Sequence, residues 1–264
     1  MKKGSTEVSA TPSARFERDG IVIAAQSLSS VTVAKILAKM EAFLAARPEL
    51  SSDYVPDLVA YDRSWVDIAR EPALLDAVAS VIGEDIILWG SALFCKTSHG
   101  GRATPWHQDA QYWPIRPLQT VTTWVALDAA SVENGCLRVL PGSHRSREIY
   151  AHHRDDSEAI VLNQAMASSD IAESDVLDVE LSPGQFSVHD AFLVHGANAN
   201  RSPHRRAGLT FRYMPASSVY DRDLARRQVE ELGVVDVSQR ELHLVRGRDV
   251  SGRNDVYQTD NTRT

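Results

Sequence analysis

The residues best suited to chemistry in this chain are a histidine and an aspartate two positions apart, His107 and Asp109, and a distant second histidine, His195. In an extended strand alternate side chains share a face, so His107 and Asp109 can project into one cavity while Gln108 points away. Two imidazoles and one carboxylate on one face of an octahedral ion form the facial triad of non-heme Fe(II) sites, which leaves the opposite face open. The sequence therefore predicts an iron site at these three residues, with dioxygen and a co-substrate opposite them.

An arginine eleven residues after His195 suits the same chemistry. A 2-oxoacid can chelate iron through its keto oxygen and one carboxylate, and arginine can hold its distal carboxylate bidentately. Residues 206–213 alternate as a strand does. The residues that share the face of Arg206 are Gly208, Thr210 and Arg212. We predict that Arg206 makes the carboxylate contact; Arg205, on the other face, is the alternative.

Other metal-binding patterns are weaker. Residues 152–156 contain His-His and Asp-Asp pairs, but adjacent side chains diverge on an extended chain. His189-Asp190 lies in an apolar strand and competes for the metal on residue type alone. Cys95 and Cys136 lack the paired spacing of a zinc site, and two cysteines in a chain of 264 residues make no disulfide framework. We expect both cysteines to be buried.

Composition limits the partners. The formal net charge is −7, which provides no basic footprint for nucleic acid or for an anionic membrane surface. No apolar run approaches the length of a membrane span, and polar residues follow Met1 where a signal peptide would be apolar. We therefore expect a cytoplasmic protein with a small-molecule substrate and with no nucleic-acid or membrane partner. The sequence does not specify an oligomeric state.

The coarse pattern indicates a β-rich domain. Apolar residues at helical spacing predict helices over 33–44 and 74–81. Short, turn-bounded apolar strands follow and predict a sandwich or jelly roll. We expect a flexible leader over 1–14 and one domain over 15–264, with a polar C-terminal tail from about 235. Residues 145–175, rich in His, Asp, Ala and Ser, are interpreted as a lid over the substrate.

Several motifs together resemble one known family, the phytanoyl-CoA dioxygenases. The similarity runs from about Asp19 to Pro215 in family order. The motifs that carry it are Trp106-His107-Gln108-Asp109, the aromatic and proline run from Tyr112 to Pro117, Trp124-Val125-Ala126-Leu127, the segment from Asn134 to His144, and His195-Gly196 followed by Asn200 and Arg206. The resemblance implies a mainly β fold with flanking α-helices, a double-stranded β-helix of the jelly-roll or cupin-like kind. It also implies Fe(II) and the co-substrate 2-oxoglutarate.

The resemblance also assigns roles to individual residues. Its iron ligands are His107, Asp109 and His195, and Arg206 binds the distal carboxylate of 2-oxoglutarate. Trp124 occupies the place of a family tryptophan that lines the 2-oxoglutarate site. The further co-substrate neighbours are Gln108 and Thr122. Ala197 stands where relatives carry a serine, so a hydroxyl contact to 2-oxoglutarate is in question there.

The family comparison also bears on the reaction. Family halogenases carry a small residue in place of Asp109, so the carboxylate here favours hydroxylation of a C–H bond, with release of succinate and carbon dioxide. Desaturation or cyclisation could use the same residues. For the substrate we prefer a natural product or amino-acid-like molecule of specialised metabolism over an acyl-CoA, because the acidic chain offers only scattered arginines to phosphates. Two other hypotheses are a catalytically silent binding barrel and a zinc hydrolase, neither of which needs Arg206.

Overall fold

The structure of the protein is a computed structural model that describes residues 11–257. Within that range, helices precede and follow a β-rich middle. The α-helices are α1 (Pro12–Asp19), α2 (Ser30–Ala45), α3 (Leu58–Tyr61), α4 (Trp65–Ala69), α5 (Pro72–Ile82) and α6 (Arg222–Leu232). Helix α2 begins three residues before the predicted stretch at 33–44, because the Ser29 hydroxyl caps it by accepting a hydrogen bond from the backbone N–H of Thr32. Among these helices none has the length and apolar character needed to cross a bilayer.

The strands form two main sheets. They are β1 (Ile21–Ile23), β2 (Val55–Pro56), β3 (Ile86–Lys96), β4 (Thr104–His107), β5 (Ile115–Arg116), β6 (Val121–Ala126), β7 (Leu137–Val139), β8 (His153–Arg154), β9 (Gln164–Ala165), β10 (Leu177–Val179), β11 (Phe186–Asp190), β12 (His195–Ala197), β13 (Arg206–Pro215), β14 (Val219–Tyr220) and β15 (His243–Arg246). The major sheet has the order β1-β11-β6-β13-β3-β15, with β2 also paired to β3. The minor sheet has the order β10-β7-β12-β4. All pairs within the two sheets are antiparallel, as in a jelly roll.

The outer face of the major sheet packs on the helices. Alternate residues of its strands are large and apolar, and they join the apolar stripes of α2 and α5 in one core cluster. Met40 of α2, Leu74 of α5 and Phe211 of β13 are fully buried there. The helices therefore hold the sheet from behind and leave its other face free to line a site.

The inner face of the major sheet and the minor sheet enclose a cavity of about 480 Å³. That volume is within the range of small-molecule sites. The major sheet contributes, among others, Thr122, Trp124, His189 and Arg206, and the minor sheet contributes Leu137, Gly196 and Ala197. Because residues two apart on a strand share a face, the alternation read from residues 206–213 places polar side chains inside and apolar ones in the core.

Part of the segment 145–175 lines this cavity. The backbone N–H of Val161 donates to Ala103 and that of Met166 donates to Trp106, so the segment is attached to the strand that ends at His107. Residues 161–164 line the cavity. Asn163 and Gln164 also donate side-chain hydrogen bonds to the carbonyls at the end of α6. The interpretation of this segment as a lid stays a prediction.

The two ends of the domain differ from the sequence-based expectation. Residues 12–14, expected in a flexible leader, begin helix α1, because Thr11 caps it and Pro12 occupies its first turn. Residues 1–10 of that leader lie outside the described residues. The polar tail expected from about 235 instead contains β15, which pairs with β3, and the buried residue Leu242. Long-range pairing, which local polarity does not reveal, accounts for the second difference.

Candidate metal and co-substrate site

The structure brings His107, Asp109 and His195 together at the inner end of β4 and β12. Each can offer one ligand atom, and the three atoms lie within 4.8 Å of one another. Nε2 of His107 is 3.6 Å from one carboxylate oxygen of Asp109, and Nε2 of His195 is 3.9 Å from the other. His107 and His195 are opposite each other in the antiparallel register of β4 and β12. Among the described residues, no other group of three or more His, Cys, Asp or Glu side chains is arranged to hold a metal ion.

Backbone carbonyls orient both imidazoles. Nδ1 of His107 is 2.9 Å from the carbonyl of Pro105, and Nδ1 of His195 is 2.8 Å from that of Leu193. An Nδ1 that donates its proton to a carbonyl leaves Nε2 with a lone pair, which is the form that binds a metal. Burial lowers the pKa of His195 well below its usual value, and the charge of His107 lowers it further. The neutral, ligating form is therefore favoured.

Asp109 lies just after the end of strand β4 and not within the strand, as had been expected. Strand β4 ends at His107, and Asp109 begins a short 3-10 helix (Asp109–Gln111), while the extended backbone of Gln108 preserves the alternation of side chains. Burial by itself would raise the pKa of Asp109, but contact with His107 and the charges of His195 and Arg212 hold it below its usual value. The Tyr112 hydroxyl, 3.4 Å away, donates to the same carboxylate. The aspartate is thus ionised and held in place.

Arg206 lies inside the cavity and Arg205 outside it. Arg206 is 2% exposed, and its guanidinium stacks on the Trp124 indole at 5.1 Å. No described residue accepts a hydrogen bond from its Nε. Burial lowers the pKa of Arg206 to about 10, so it stays protonated at neutral pH. Arg205, in contrast, pairs with Asp128 and Glu41. A buried cation without a protein anion fits a bound carboxylate.

Gly208 makes room for this stacked pair. A Cβ at Gly208 would overlap the indole ring of Trp124. Sequence reasoning placed Gly208 on the face of Arg206 but gave it no role. Trp124 pairs with Thr210 and lies diagonally across from Gly208 in the register of β6 and β13, so no local pattern in the sequence indicates this role.

We expect Gly208→Ala to lower the melting temperature by about 3–10 °C. Overpacking a core costs roughly 1–3 kcal/mol, and each kcal/mol shifts Tm by about 2–4 °C in a chain of this size. Gly100→Ala is the matched control, because a Cβ there would be 3.6 Å from its nearest neighbour, Thr97 Oγ1, and the loop is exposed. Differential scanning calorimetry measures both variants, and equal melting temperatures for the two would contradict the packing role of Gly208.

The other predicted co-substrate residues divide into two groups. Thr122 lines the cavity, and its buried hydroxyl has no partner among residues 11–257. Ala197 also lines the cavity and offers no hydroxyl. Gln108 is not brought there: its side-chain amide donates to the carbonyls of Phe192 and Glu148, and its side-chain oxygen accepts from Tyr150 N–H. Gln108 therefore fastens the loop that follows the 3-10 turn at 143–146.

The family assignment follows from direct comparison. The family model for phytanoyl-CoA dioxygenase (PhyH) matches residues 16–208. The chain belongs to the phytanoyl-CoA dioxygenase family. The resemblance seen in the sequence is confirmed, and so is the mainly β jelly-roll fold with flanking helices.

Relatives of this phytanoyl-CoA dioxygenase family member include a probable phytanoyl-CoA dioxygenase of Caenorhabditis elegans, 28% identical over 169 residues, which make up 61% of this chain and 52% of that protein. The chain spans about half the length of the curated relatives that it matches, with 52%, 58% and 43% covered in three of them.

Two solved structures share its fold. The apo form of the non-heme monooxygenase ThoJ is 26% identical, with a TM-score of 0.72 over 92% of this chain and 86% of that one. The epimerase SnoN, solved with Fe3+, alpha-ketoglutarate and nogalamycin RO, is 26% identical, with a TM-score of 0.65 over 79% of this chain and 84% of that one.

The donor set of this family member fits Fe(II) and 2-oxoglutarate. Two neutral imidazoles and one carboxylate are the ligands of a non-heme iron site and lack the thiolates that favour zinc or copper(I). The unpaired guanidinium of Arg206 lies in the same cavity and provides the cation that a distal carboxylate needs.

His189 lies beside the metal ligands without joining them. Its ring centroid is 4.9 Å from that of His195, and both of its ring nitrogens are buried without a hydrogen-bond partner among the described residues. Burial lowers the pKa of His189 to about 4. The His-His pair at 152–153 is also outside the ligand group, since Nε2 of His152 accepts the backbone N–H of Gln108. Cys95 and Cys136 are buried and free, as expected.

Sequence reasoning missed part of the cavity wall. Its aromatic part contains Tyr54 and Phe94, whose rings are 4.9 Å apart, and its charged part contains Arg212 and Arg240. The inward direction of Arg212 could have been predicted, because the alternation of β13 places it on the same face as Arg206. The others come from segments whose positions depend on long-range pairing, so no local pattern indicates them.

Proposed function

We propose that the protein is an Fe(II)- and 2-oxoglutarate-dependent dioxygenase that hydroxylates a C–H bond of a small molecule and releases succinate and carbon dioxide. One observation carries the proposal: three ligand atoms within 4.8 Å of one another lie in the same cavity as a buried arginine that has no anionic partner among the described residues. A silent binding barrel would have no use for the triad, and a zinc hydrolase would have none for Arg206. The comparisons support the same family of chemistry.

Each part of the site has a separate task. His107, Asp109 and His195 would hold the metal through Nε2, a carboxylate oxygen and Nε2, and leave its far side open to the cavity. Arg206, held against Trp124, would fix the distal carboxylate of 2-oxoglutarate. The bound iron and co-substrate supply the oxidising chemistry, while the protein selects and positions the substrate. The apolar side chains that line the cavity would help to exclude water from the reacting atoms; they include Val161, Leu162, Val234 and Val237.

The surface arginines support a small substrate over an acyl-CoA. Nucleotide phosphates would need free cations near the entrance, and four of the scattered arginines, Arg102, Arg116, Arg138 and Arg147, already have partners. Arg102 pairs with Asp53, Arg147 with Asp190, Arg138 with Asp178 and Glu173, and Arg116 donates to the carbonyls of Trp113 and Ile115. We infer a small molecule of specialised metabolism as the substrate.

The test is succinate formation by protein loaded with Fe(II) under nitrogen and then given 2-oxoglutarate and oxygen. We expect slow succinate release from the protein alone and faster release when a pooled metabolite extract is added. Samples without iron, without oxygen or with zinc in place of iron serve as controls. Mass spectrometry of the extract then identifies the reaction: hydroxylation adds one oxygen atom, whereas desaturation or cyclisation removes two hydrogen atoms.

Two results together would overturn the proposal. The first is the absence of succinate under all conditions, and the second is the absence of a visible absorption band when 2-oxoglutarate is added anaerobically to the iron-loaded protein. Zinc-supported hydrolysis of any compound in the extract would favour the hydrolase hypothesis instead.

A further inference from the structure

A second arginine is buried in the cavity, and the proposed co-substrate does not use it. Arg212 is 7% exposed and lines the cavity six residues after Arg206 on β13. It shares a row of the major sheet with Thr122 of β6 and His189 of β11, the rows being set by the antiparallel register. The ring centroid of His189, in the same row, is 4.9 Å from that of His195, so this row of the sheet reaches the proposed metal ligands. Arg212 is thus placed beside the reacting centre, away from the end occupied by Arg206.

The guanidinium of Arg212 has no anionic partner within residues 11–257. Its Nε is buried without an acceptor, and none of the residues described forms an ion pair or hydrogen bond with any of its nitrogens. The guanidinium stacks on the indole of Trp113 at 5.4 Å, a contact that positions the side chain without neutralising it. A buried charge is normally paired, and breaking such a pair leaves a costly isolated charge. Arg212 therefore calls for an anion from outside the protein.

Arg240, which also lines the cavity, differs from Arg212 because it has a carboxylate partner. Nε of Arg240 is 3.5 Å from a carboxylate oxygen of Asp57. Gly90, opposite Arg212 in the register of β3 and β13, leaves space for both side chains: Arg240 Nη1 and Arg212 Cδ lie 2.9 and 3.3 Å from the position that a Cβ would take. The two guanidinium groups thus converge on one corner of the cavity, and only one of them has a carboxylate partner within the described range.

Charge balance gives the number of negative charges that the cavity can still accept. The charged residues of its lining are Asp109, Arg206, Arg212 and Arg240. With the proposed iron and co-substrate bound, Fe(II) and Arg206 together balance Asp109 and the two carboxylates of 2-oxoglutarate. Asp57 balances Arg240. Only the charge of Arg212 is left, so a partner with a single negative charge would complete the balance.

The other side chains that line the cavity indicate the chemistry of the rest of that partner. The tilted pair of Tyr54 and Phe94, together with Val161 and Leu162, gives the cavity aromatic and aliphatic lining as well. An apolar body attached to one planar anionic group would fill this part of the cavity. The planar fork of arginine matches a carboxylate bidentately.

We propose that Arg212 binds the substrate through a single carboxylate group, and that the substrate is an apolar or aromatic small molecule with one such group. This inference rests on the proposed function, because it takes Arg206 and the metal as occupied by 2-oxoglutarate. The carboxylate would act as the anchor, and the C–H bond to be oxidised would lie on the hydrocarbon part that extends from Arg212 toward the metal ligands.

The test uses matched pairs of probes, hydrocinnamate and indoleacetate with their primary amides, which have the same shape without the charge. The full chain is loaded with Fe(II) and 2-oxoglutarate under nitrogen, so that binding is measured without turnover by calorimetry and by the change in the visible absorption band. We expect a carboxylate to bind about 10- to 100-fold more tightly than its amide, the usual effect of a charge-assisted hydrogen bond. Arg212→Met should remove this ratio, and Arg212→Lys should restore part of it.

Arg147→Met is the matched control, because Arg147 also stacks on an aromatic ring, that of Phe192, but pairs with Asp190 outside the cavity lining. It should keep the full ratio. If no carboxylate binds more tightly than its amide, or if Arg212→Met keeps the preference, the inference is wrong. It is also wrong if Arg212→Met abolishes the 2-oxoglutarate band, since Arg212 would then serve the co-substrate. Absence of the band in the wild type would instead count against the proposed function.

Discussion

In an Asp109→Ala variant we expect Fe(II) affinity and succinate formation to fall by at least about 10³-fold. This factor corresponds to the loss of roughly 4 kcal/mol of favourable interaction between the carboxylate and the metal ion. Asp109 is the only anionic member of the metal cluster and lies between the two histidine nitrogens, at 3.6 and 3.9 Å. Its removal would leave two neutral imidazoles to hold a dication. Bound iron is measured by equilibrium dialysis and metal analysis.

Asp156→Ala is the control for this variant, since Asp156 is an exposed aspartate that pairs with Arg154. It should bind iron as the wild type does. Circular dichroism establishes that the Asp109→Ala protein is folded. An Asp109→Ala variant that retains one iron per chain and normal succinate release would show that the cluster is not the metal site.

The second large effect is expected from Arg206→Gln, which should raise the Kd of 2-oxoglutarate by about 10²- to 10³-fold. Truncating one partner of a buried, hydrogen-bonded charge pair costs roughly 2–5 kcal/mol. Iron affinity should change little, because Arg206 is not among the metal ligands. The Kd is measured anaerobically from the absorption band of the iron-loaded protein as 2-oxoglutarate is added.

Arg205→Gln makes the same chemical change one residue earlier. Arg205 pairs with Asp128 and Glu41 on the other face of the strand, so its loss should leave the Kd of 2-oxoglutarate within about twofold of the wild type, as expected for a partly exposed ion pair. If Arg205→Gln weakens 2-oxoglutarate binding more than Arg206→Gln does, the assignment of the carboxylate contact must be reversed.

The grouping of the proposed metal ligands was predictable in part, because local spacing determines the relative geometry of two of them. His107 and Asp109 are two apart on extended backbone, so they share a face even though the strand ends before Asp109. The position of His195 opposite His107 is a matter of long-range register, which spacing alone does not specify; family order supplied it. The inward direction of Arg206 followed from simple alternation.

The substrate side of the cavity was much less predictable. Arg240 and Val237 belong to the stretch that composition marked as a frayed polar tail, and they reach the site only because β15 pairs with β3. Tyr54 comes from a stretch with no clear period, whose short strand β2 pairs with the same β3. The role of Gly208 depends on a tryptophan of the adjacent strand. Such contacts are set by tertiary pairing, and side-chain periodicity within one segment carries no information about them.

The residues that line the cavity come from two parts of the chain, the family match at 16–208 and the segment that follows it. All four residues assigned to iron and 2-oxoglutarate, His107, Asp109, His195 and Arg206, fall within the family match at 16–208. Arg212, Arg240 and the valines at 234, 235 and 237 lie beyond it, yet they line the same cavity. Substitutions in this C-terminal segment could therefore alter the lining of the cavity without changing the residues proposed to hold iron and 2-oxoglutarate.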